Sequence, residues 1–160
     1  KKVGYSTTVK PDKYDSTVLY GLEAGKYRLA LKTPKDQIIN VEYTRDKSKK
    51  KAAYKKSKAI HLKSDIDSIY TSTEKAARWY KVSVSSTKKR KAVTLSKDSV
   101  GGGFKFCVYQ KGKRLKTVKV TKNDKVKTVK LPKKKGAYYV KVTKLTSKTT
   151  GAYYLGTYTY

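Results

Sequence analysis

The chain has no methionine, one cysteine and one histidine in 160 residues. A single thiol, Cys107, excludes an intrachain disulfide and a thiol-rich metal cluster. Nucleophilic hydrolysis needs a nucleophile within hydrogen-bond reach of a base. Here the thiol–imidazole option reduces to Cys107 and His61, each inside an alternating apolar run (Phe106-Cys107-Val108 and Ile60-His61-Leu62), where a strand-filling role is expected. Acidic residues are scarce, 11 against 41 lysines and arginines. Asp65, Asp67 and Glu74 form the only local acidic group, without the further acids and positioned glycine of a calcium loop. Gly101-Gly102-Gly103 lacks the Lys-Ser/Thr and the helix of a phosphate loop, so it reads as a flexible break. No catalytic residue, metal or cofactor is therefore expected. No apolar run is long enough to span a membrane as a helix, and no signal-peptide pattern is present. A chain that starts at Lys1-Lys2-Val3 reads as a processed piece of a longer product. Low cysteine with abundant Tyr, Thr, Ser and Lys suits the envelope or exterior of a Gram-positive bacterium, so an extracellular or wall-associated place is expected.

What is present is enough for a packed core: 37% hydrophobic residues, 15 of the residues being tyrosine, under a formal charge of +30. A disordered chain of such charge would have few aromatics; here they alternate with polar residues at the two-residue period of strands. Gly136-Ala137-Tyr138-Tyr139-Val140-Lys141-Val142 puts Tyr138, Val140 and Val142 on one face, and Gly151 to Leu155 follows after a polar loop as its expected antiparallel partner. Arg78 to Val84 places Tyr80, Val82 and Val84 inward, with Arg90 to Leu95 as the expected hairpin partner. Phe104, Phe106 and Val108 share a face, and Lys111-Gly112-Lys113 turns the chain into Leu115 to Val120. Asn123-Asp124 turns it again before Val126 to Leu131. No helix of ordinary length is expected; the class is all-β, an antiparallel sandwich of jelly-roll type with extra N-terminal strands.

Sliding the chain on itself by 111 positions aligns Asp12 with Asn123, Gly25 with Gly136, Tyr27 with Tyr138, Leu29 and Leu31 with Val140 and Val142, and Tyr43 with Tyr154. The expected organisation is a partial repeat over 1–46 (the C-terminal half of a sandwich unit, docked or exchanged), a lysine-rich linker over 47–58 and a complete sandwich over 59–160. A half-sandwich has exposed edges, so a strand-exchanged homodimer is one expected outcome. One larger sandwich using similar hairpins twice is the alternative.

The ordered set Ala59-Ile60-His61-Leu62, Arg78-Trp79-Tyr80-Lys81-Val82, Phe104 to Tyr109 with Lys111-Gly112-Lys113, Leu131 to Val142 and Gly151-Ala152-Tyr153-Tyr154 resembles the bacterial pre-peptidase C-terminal (PPC) domain over roughly residues 57–160. The resemblance implies a jelly-roll-like sandwich appended to secreted proteases and other exported proteins, similar in architecture to collagenase collagen-binding domains, and an accessory module without a catalytic site. Where the family often has an aspartate before the aromatic strand, this chain has Ala77-Arg78, so a calcium-assisted feature is not carried over.

Function then rests on charge. A strongly positive field attracts polyanions. Lysines far outnumber arginines, which favours salt-sensitive attraction over base readout. The expected role is a non-catalytic module that attaches an exported protein to anionic wall or host surfaces. Its partner would be wall teichoic acid or an acidic glycan, with nucleic acid disfavoured, and the contacts would come from Lys49, Lys50, Lys51, Lys55, Lys56, Lys133, Lys134 and Lys135. The alternative is specific recognition of a carbohydrate or an extended protein such as collagen through Tyr139, Tyr153 and Tyr158. Against both stands the plain role of lysines in solvating outward strand faces and of tyrosines in cross-strand packing.

Overall fold

A computed structural model describes residues 25–32, 52–63, 66–70, 74–121 and 123–160. Among them the chain forms a short 3-10 helix, Lys56–Lys58, and nine strands: β1 (Ile60–His61), β2 (Ile66–Tyr70), β3 (Arg78–Val84), β4 (Lys91–Gly101), β5 (Phe104–Gln110), β6 (Lys113–Val120), β7 (Val126–Lys130), β8 (Gly136–Lys144) and β9 (Thr150–Thr159). They build a five-stranded sheet, β1-β3-β8-β5-β6, packed on a four-stranded sheet, β2-β9-β4-β7. All neighbours are antiparallel except β1 and β3. The protein is an all-β sandwich, as its alternating sequence predicts.

Alternation becomes burial directly. Tyr80, Val82 and Val84 of β3, Tyr138, Val140 and Val142 of β8, and Phe104, Phe106 and Val108 of β5 point into one core with Val93, Leu95, Tyr153 and Leu155 of the opposite sheet. Two tyrosine hydroxyls meet inside it, where Tyr80 of one sheet hydrogen-bonds Tyr153 of the other. A buried phenol without a partner would cost about 1–3 kcal/mol, so the pair satisfies both at once. Near the start of β3 the buried Arg78 guanidinium closes the core with a two-pronged ion pair to Glu74, Nε to Oε1 at 2.8 Å and Nη2 to Oε2 at 2.6 Å. Burial opposes its charge, but the hydrogen bonds it donates to Glu74 and the Tyr153, Glu74 and Tyr80 fields outweigh that and hold Arg78 protonated above its ordinary range.

Three expectations are corrected. β8 and β9 are not partners, and neither are β3 and β4; in each case the connecting loop carries the chain from one sheet to the other. The hairpin reading fails because both strands of each pair have one apolar face, and facing sheets bury such faces as readily as neighbours in one sheet do. Gly101-Gly102-Gly103 is not a flexible break. Gly101 ends β4, and a Cβ at Gly103 would lie 2.1 Å from the Val120 carbonyl oxygen. Within the expected linker, Ala53 is buried and its carbonyl accepts a 2.8 Å bond from Trp79 N–H, so residues 52–58 lie along the edge of β3. In the expected 1–46 repeat, Tyr27, Leu29 and Leu31 are 45%, 70% and 56% exposed, with no strand assigned over 25–32. The remaining residues of the 1–46 repeat, together with Lys49, Lys50 and Lys51, lie outside the described residues.

One hairpin matches its expectation closely. Gln110 pairs with Lys113 across a two-residue turn, and Lys111 and Gly112 have φ of 48° and 80°. Positive φ at both positions is the type I′ turn, whose twist suits a hairpin. β6 then runs along the sheet edge, mostly exposed, with Arg114, Lys116 and Lys119 blunting that edge against pairing with another chain.

Candidate functional site

Strand directions gather the loops at two ends. Val84 pairs with Gly136, Gln110 with Tyr138 and Lys91 with Thr159, so the 85–90, 111–112 and 131–135 connections and the last residue share one end of the sandwich. Each connection is basic: Lys88, Lys89 and Arg90 in the first, Lys111 in the second, Lys133, Lys134 and Lys135 in the third. None of the three contains an acidic residue. Among the described residues the acids Glu74 and Asp124 belong to connections that leave from the opposite end. The sandwich thus has a basic pole.

That pole is held in place by its own residues. Tyr138, inward on β8, reaches up and donates to the Lys134 carbonyl at 2.9 Å, with the Pro132 carbonyl at 3.3 Å. Burial pushes its phenol above the ordinary value, while a hydrogen bond with Gln110 pulls the other way. Gln110 also donates to the Lys135 carbonyl at 3.4 Å. Leu131 is buried and its N–H donates to Lys91 O at 2.8 Å. Lys91 Nζ donates to Ser83 O at 2.8 Å, and Arg90 exchanges two backbone bonds with Tyr160. The side chains of Lys88, Lys89, Lys133, Lys134 and Lys135 stay exposed. Ser85, Ser86, Lys88, Lys89, Lys91 and Thr159 line a shallow depression of about 300 Å³.

A second feature lies on the outer face of the five-stranded sheet. Outward positions of adjacent strands pair Trp79 with Lys141 and Lys141 with Cys107, then Lys81 with Tyr139 and Tyr139 with Tyr109. The rings of Trp79 and Tyr109 pack at a tilt, centroids 5.6 Å apart. Lys141 Nζ lies 5.5 Å from the Trp79 ring and Lys56 Nζ 4.7 Å from the Tyr139 ring. Such contacts contribute about 0.5–1 kcal/mol when exposed. Lys56 is thereby placed on this face, and Lys55 beside it is exposed.

Of the three candidate contact tyrosines, Tyr139 is half-buried on that face and Tyr158 is 47% exposed on the opposite sheet. Tyr153 is fully buried against Tyr80 and Phe104, so it is a core residue and cannot meet a ligand at the surface. The cause is parity: Tyr153 and Leu155 share the inward face and Tyr154 takes the outward one. Trp79, Tyr109 and Tyr154 escaped selection because one strand's alternation does not say which face of a sheet is covered.

His61 and Cys107 sit in the same sheet with β3 and β8 between their strands. Three strand spacings place them about 14 Å apart, beyond reach of a shared proton. Cys107 Sγ instead contacts Thr117 Oγ1 at 3.4 Å. Glu74 is committed to Arg78, and no cluster of potential metal ligands occurs among the described residues. No described helix is long and apolar enough to cross a membrane.

No family model matches the chain, and no curated protein does either. Among solved structures, the sandwich is similar to the PPC domain of collagenase from Bacillus anthracis, the family its ordered motifs resemble. The two are 17% identical, the match covers 62% of this chain and 92% of that one, and the TM-score is 0.48.

Proposed function

We propose that this protein is a non-catalytic accessory module that holds an exported bacterial protein at an anionic surface, wall teichoic acid or an acidic glycan, through its basic pole. The observation that carries the reading is the convergence of three loops bearing Lys88, Lys89, Arg90, Lys111, Lys133, Lys134 and Lys135 without an acid among them. The described connections at the opposite end instead mix Lys75, Lys125 and Lys148 with the acids Glu74 and Asp124, so the net positive field is strongest at the pole. Buried Leu131 and the Tyr138 hydroxyl hold the third loop beneath its lysines, so fewer backbone freedoms are lost when a polymer binds. Lysine, a compact hydrated charge, suits a flexible polyanion whose charges shift relative to the protein. Lys55 and Lys56 extend the positive field onto the flank of the five-stranded sheet.

The test is binding to teichoic-acid-bearing wall, heparin and duplex DNA across a salt series. Attraction of this kind is strong at low salt and fades as the screening length shortens to about 3 Å near 1 M. Replacing Lys133, Lys134 and Lys135 by glutamate should weaken binding to wall and heparin by about tenfold or more at low salt. Negligible binding to every polyanion at low salt would refute the proposal. Tightest binding to DNA would move the module to nucleic acid.

A further inference from the structure

The outer face of the four-stranded sheet is built differently from the rest of the surface. Its outward positions are Thr94 and Ser96 on β4, Thr128 on β7, and Tyr154, Gly156 and Tyr158 on β9, in register across the sheet. These residues line a shallow groove of about 380 Å³. Tyr154 and Tyr158 are 42% and 47% exposed, and between them Gly156 contributes no side chain, so the strand surface lies open between two rings. Four residues along a strand separate the rings by about 13 Å. The Thr94 and Thr128 hydroxyls form a 3.0 Å hydrogen bond, and Ser96 Oγ donates to the Lys125 carbonyl. Tyr158 is steadied by Tyr160 at 5.8 Å, and the flanking Lys130 lies over the Tyr160 ring at 5.3 Å.

In a chain of net charge +30, no residue lining this groove is charged. An anionic ligand would find no counter-charge in the lining itself, only Lys130 at its flank, and a purely apolar one would cover the hydrogen-bonding capacity that Thr94, Ser96 and Thr128 keep beyond their own contacts. A chain of sugar rings without charge meets both demands, since its apolar ring faces stack on tyrosine and its hydroxyls exchange hydrogen bonds with Thr94, Ser96 and Thr128. The ring separation exceeds a single sugar, so the ligand is an oligosaccharide lying along β9. We infer that the groove over Gly156, between Tyr154 and Tyr158, binds an uncharged polysaccharide chain, independently of the basic pole.

The test uses the intact chain with chitin, cellulose and dextran as neutral probes, heparin as the anionic one and gelatin as an extended polypeptide, at low salt and near 1 M, where screening leaves contact forces. The expected result is binding to at least one neutral polysaccharide that persists at high salt. Tyr154→Ala and Tyr158→Ala should each lower it by about tenfold, as for aromatic anchors elsewhere, while leaving the heparin affinity and the thermal midpoint within error. Trp79→Ala, on the other sheet, should leave it unchanged. The inference is overturned by no binding to any neutral probe, by binding that salt abolishes, by tyrosine variants that bind as the parent does, or by capture of gelatin alone. Loss of heparin binding with neutral-probe binding intact would count against the basic pole only.

Discussion

The basic pole and the neutral groove belong to the same molecule, yet their surface chemistry is opposite. The pole consists of loops carrying exposed lysines, and the groove consists of strand positions carrying Thr, Ser, Gly and Tyr. At the pole the field acts over about a Debye length and is screened by salt. In the groove, recognition needs contact and complementary shape. Even at a net charge of +30 the fold keeps one stretch of sheet surface lined without charged residues, which leaves room for a surface that discriminates on other grounds.

Both regions hang on one frame, and the largest expected effect comes from breaking it. Glu74→Leu leaves the Arg78 guanidinium buried without its carboxylate, which should cost about 3–5 kcal/mol in chemical denaturation. Heparin and neutral-polysaccharide binding should then fail together on warming. The double change Glu74→Leu/Arg78→Leu should recover part of the loss; a double variant worse than the sum of the singles would contradict the ion-pair account.

Next is Gly103→Ala, whose Cβ would sit 2.1 Å from the Val120 carbonyl oxygen and 3.0 Å from Thr121 Cα. The backbone of the 120–121 segment cannot swing away as a side chain would, so a loss of about 2–3 kcal/mol is expected. An unchanged denaturation midpoint would mean the crossover between sheets is slack.

Tyr138→Phe separates the two regions. It removes the hydroxyl that donates to Lys134 O and should cost about 1 kcal/mol. Heparin binding should weaken by a few-fold as the lysine loop loosens, with neutral-polysaccharide binding untouched. Equal loss at both would show that the regions are coupled through the core.

The smallest effect lies at the far end. Asp124 accepts from Lys127 and from the Thr121 hydroxyl and N–H, which hold its carboxyl well below the ordinary carboxylate range. A depressed folded-state value stabilises the fold above the unfolded value of about 3.9 and loses that contribution as pH falls toward the folded one. Asp124→Asn should therefore lower the thermal midpoint slightly at neutral pH, and the gap from the parent should close in strong acid. A gap that widens in acid would reverse the sign.

Much of the frame was legible beforehand because burial on a strand has a period of two. Tyr80, Val82, Val84, Phe104, Phe106, Val108, Tyr138, Val140 and Val142 all face inward as their alternation predicts. The Lys111-Gly112 turn was legible too, since few residues adopt its backbone. Partner choice was not. β8 followed by β9, and β3 followed by β4, look like hairpins in sequence, yet each pair spans both sheets. The candidate contacts divided for the same reason: Lys133, Lys134 and Lys135 lie in an exposed loop, while Tyr153, adjacent to the exposed Tyr154, is core.

Sequence alone determined that this chain folds as an all-β domain with a tyrosine-rich core and a large positive charge, because composition and alternation act locally, residue by residue. Only the tertiary structure decided where the charge collects and where it is absent. Lys88, Lys111 and Lys134 are far apart along the chain and meet because their strands run to the same end. Thr94, Thr128 and Gly156 form one surface because β4 lies between β7 and β9. Hydrogen-bonded register across strands sets those neighbourhoods, and no single stretch of sequence contains it.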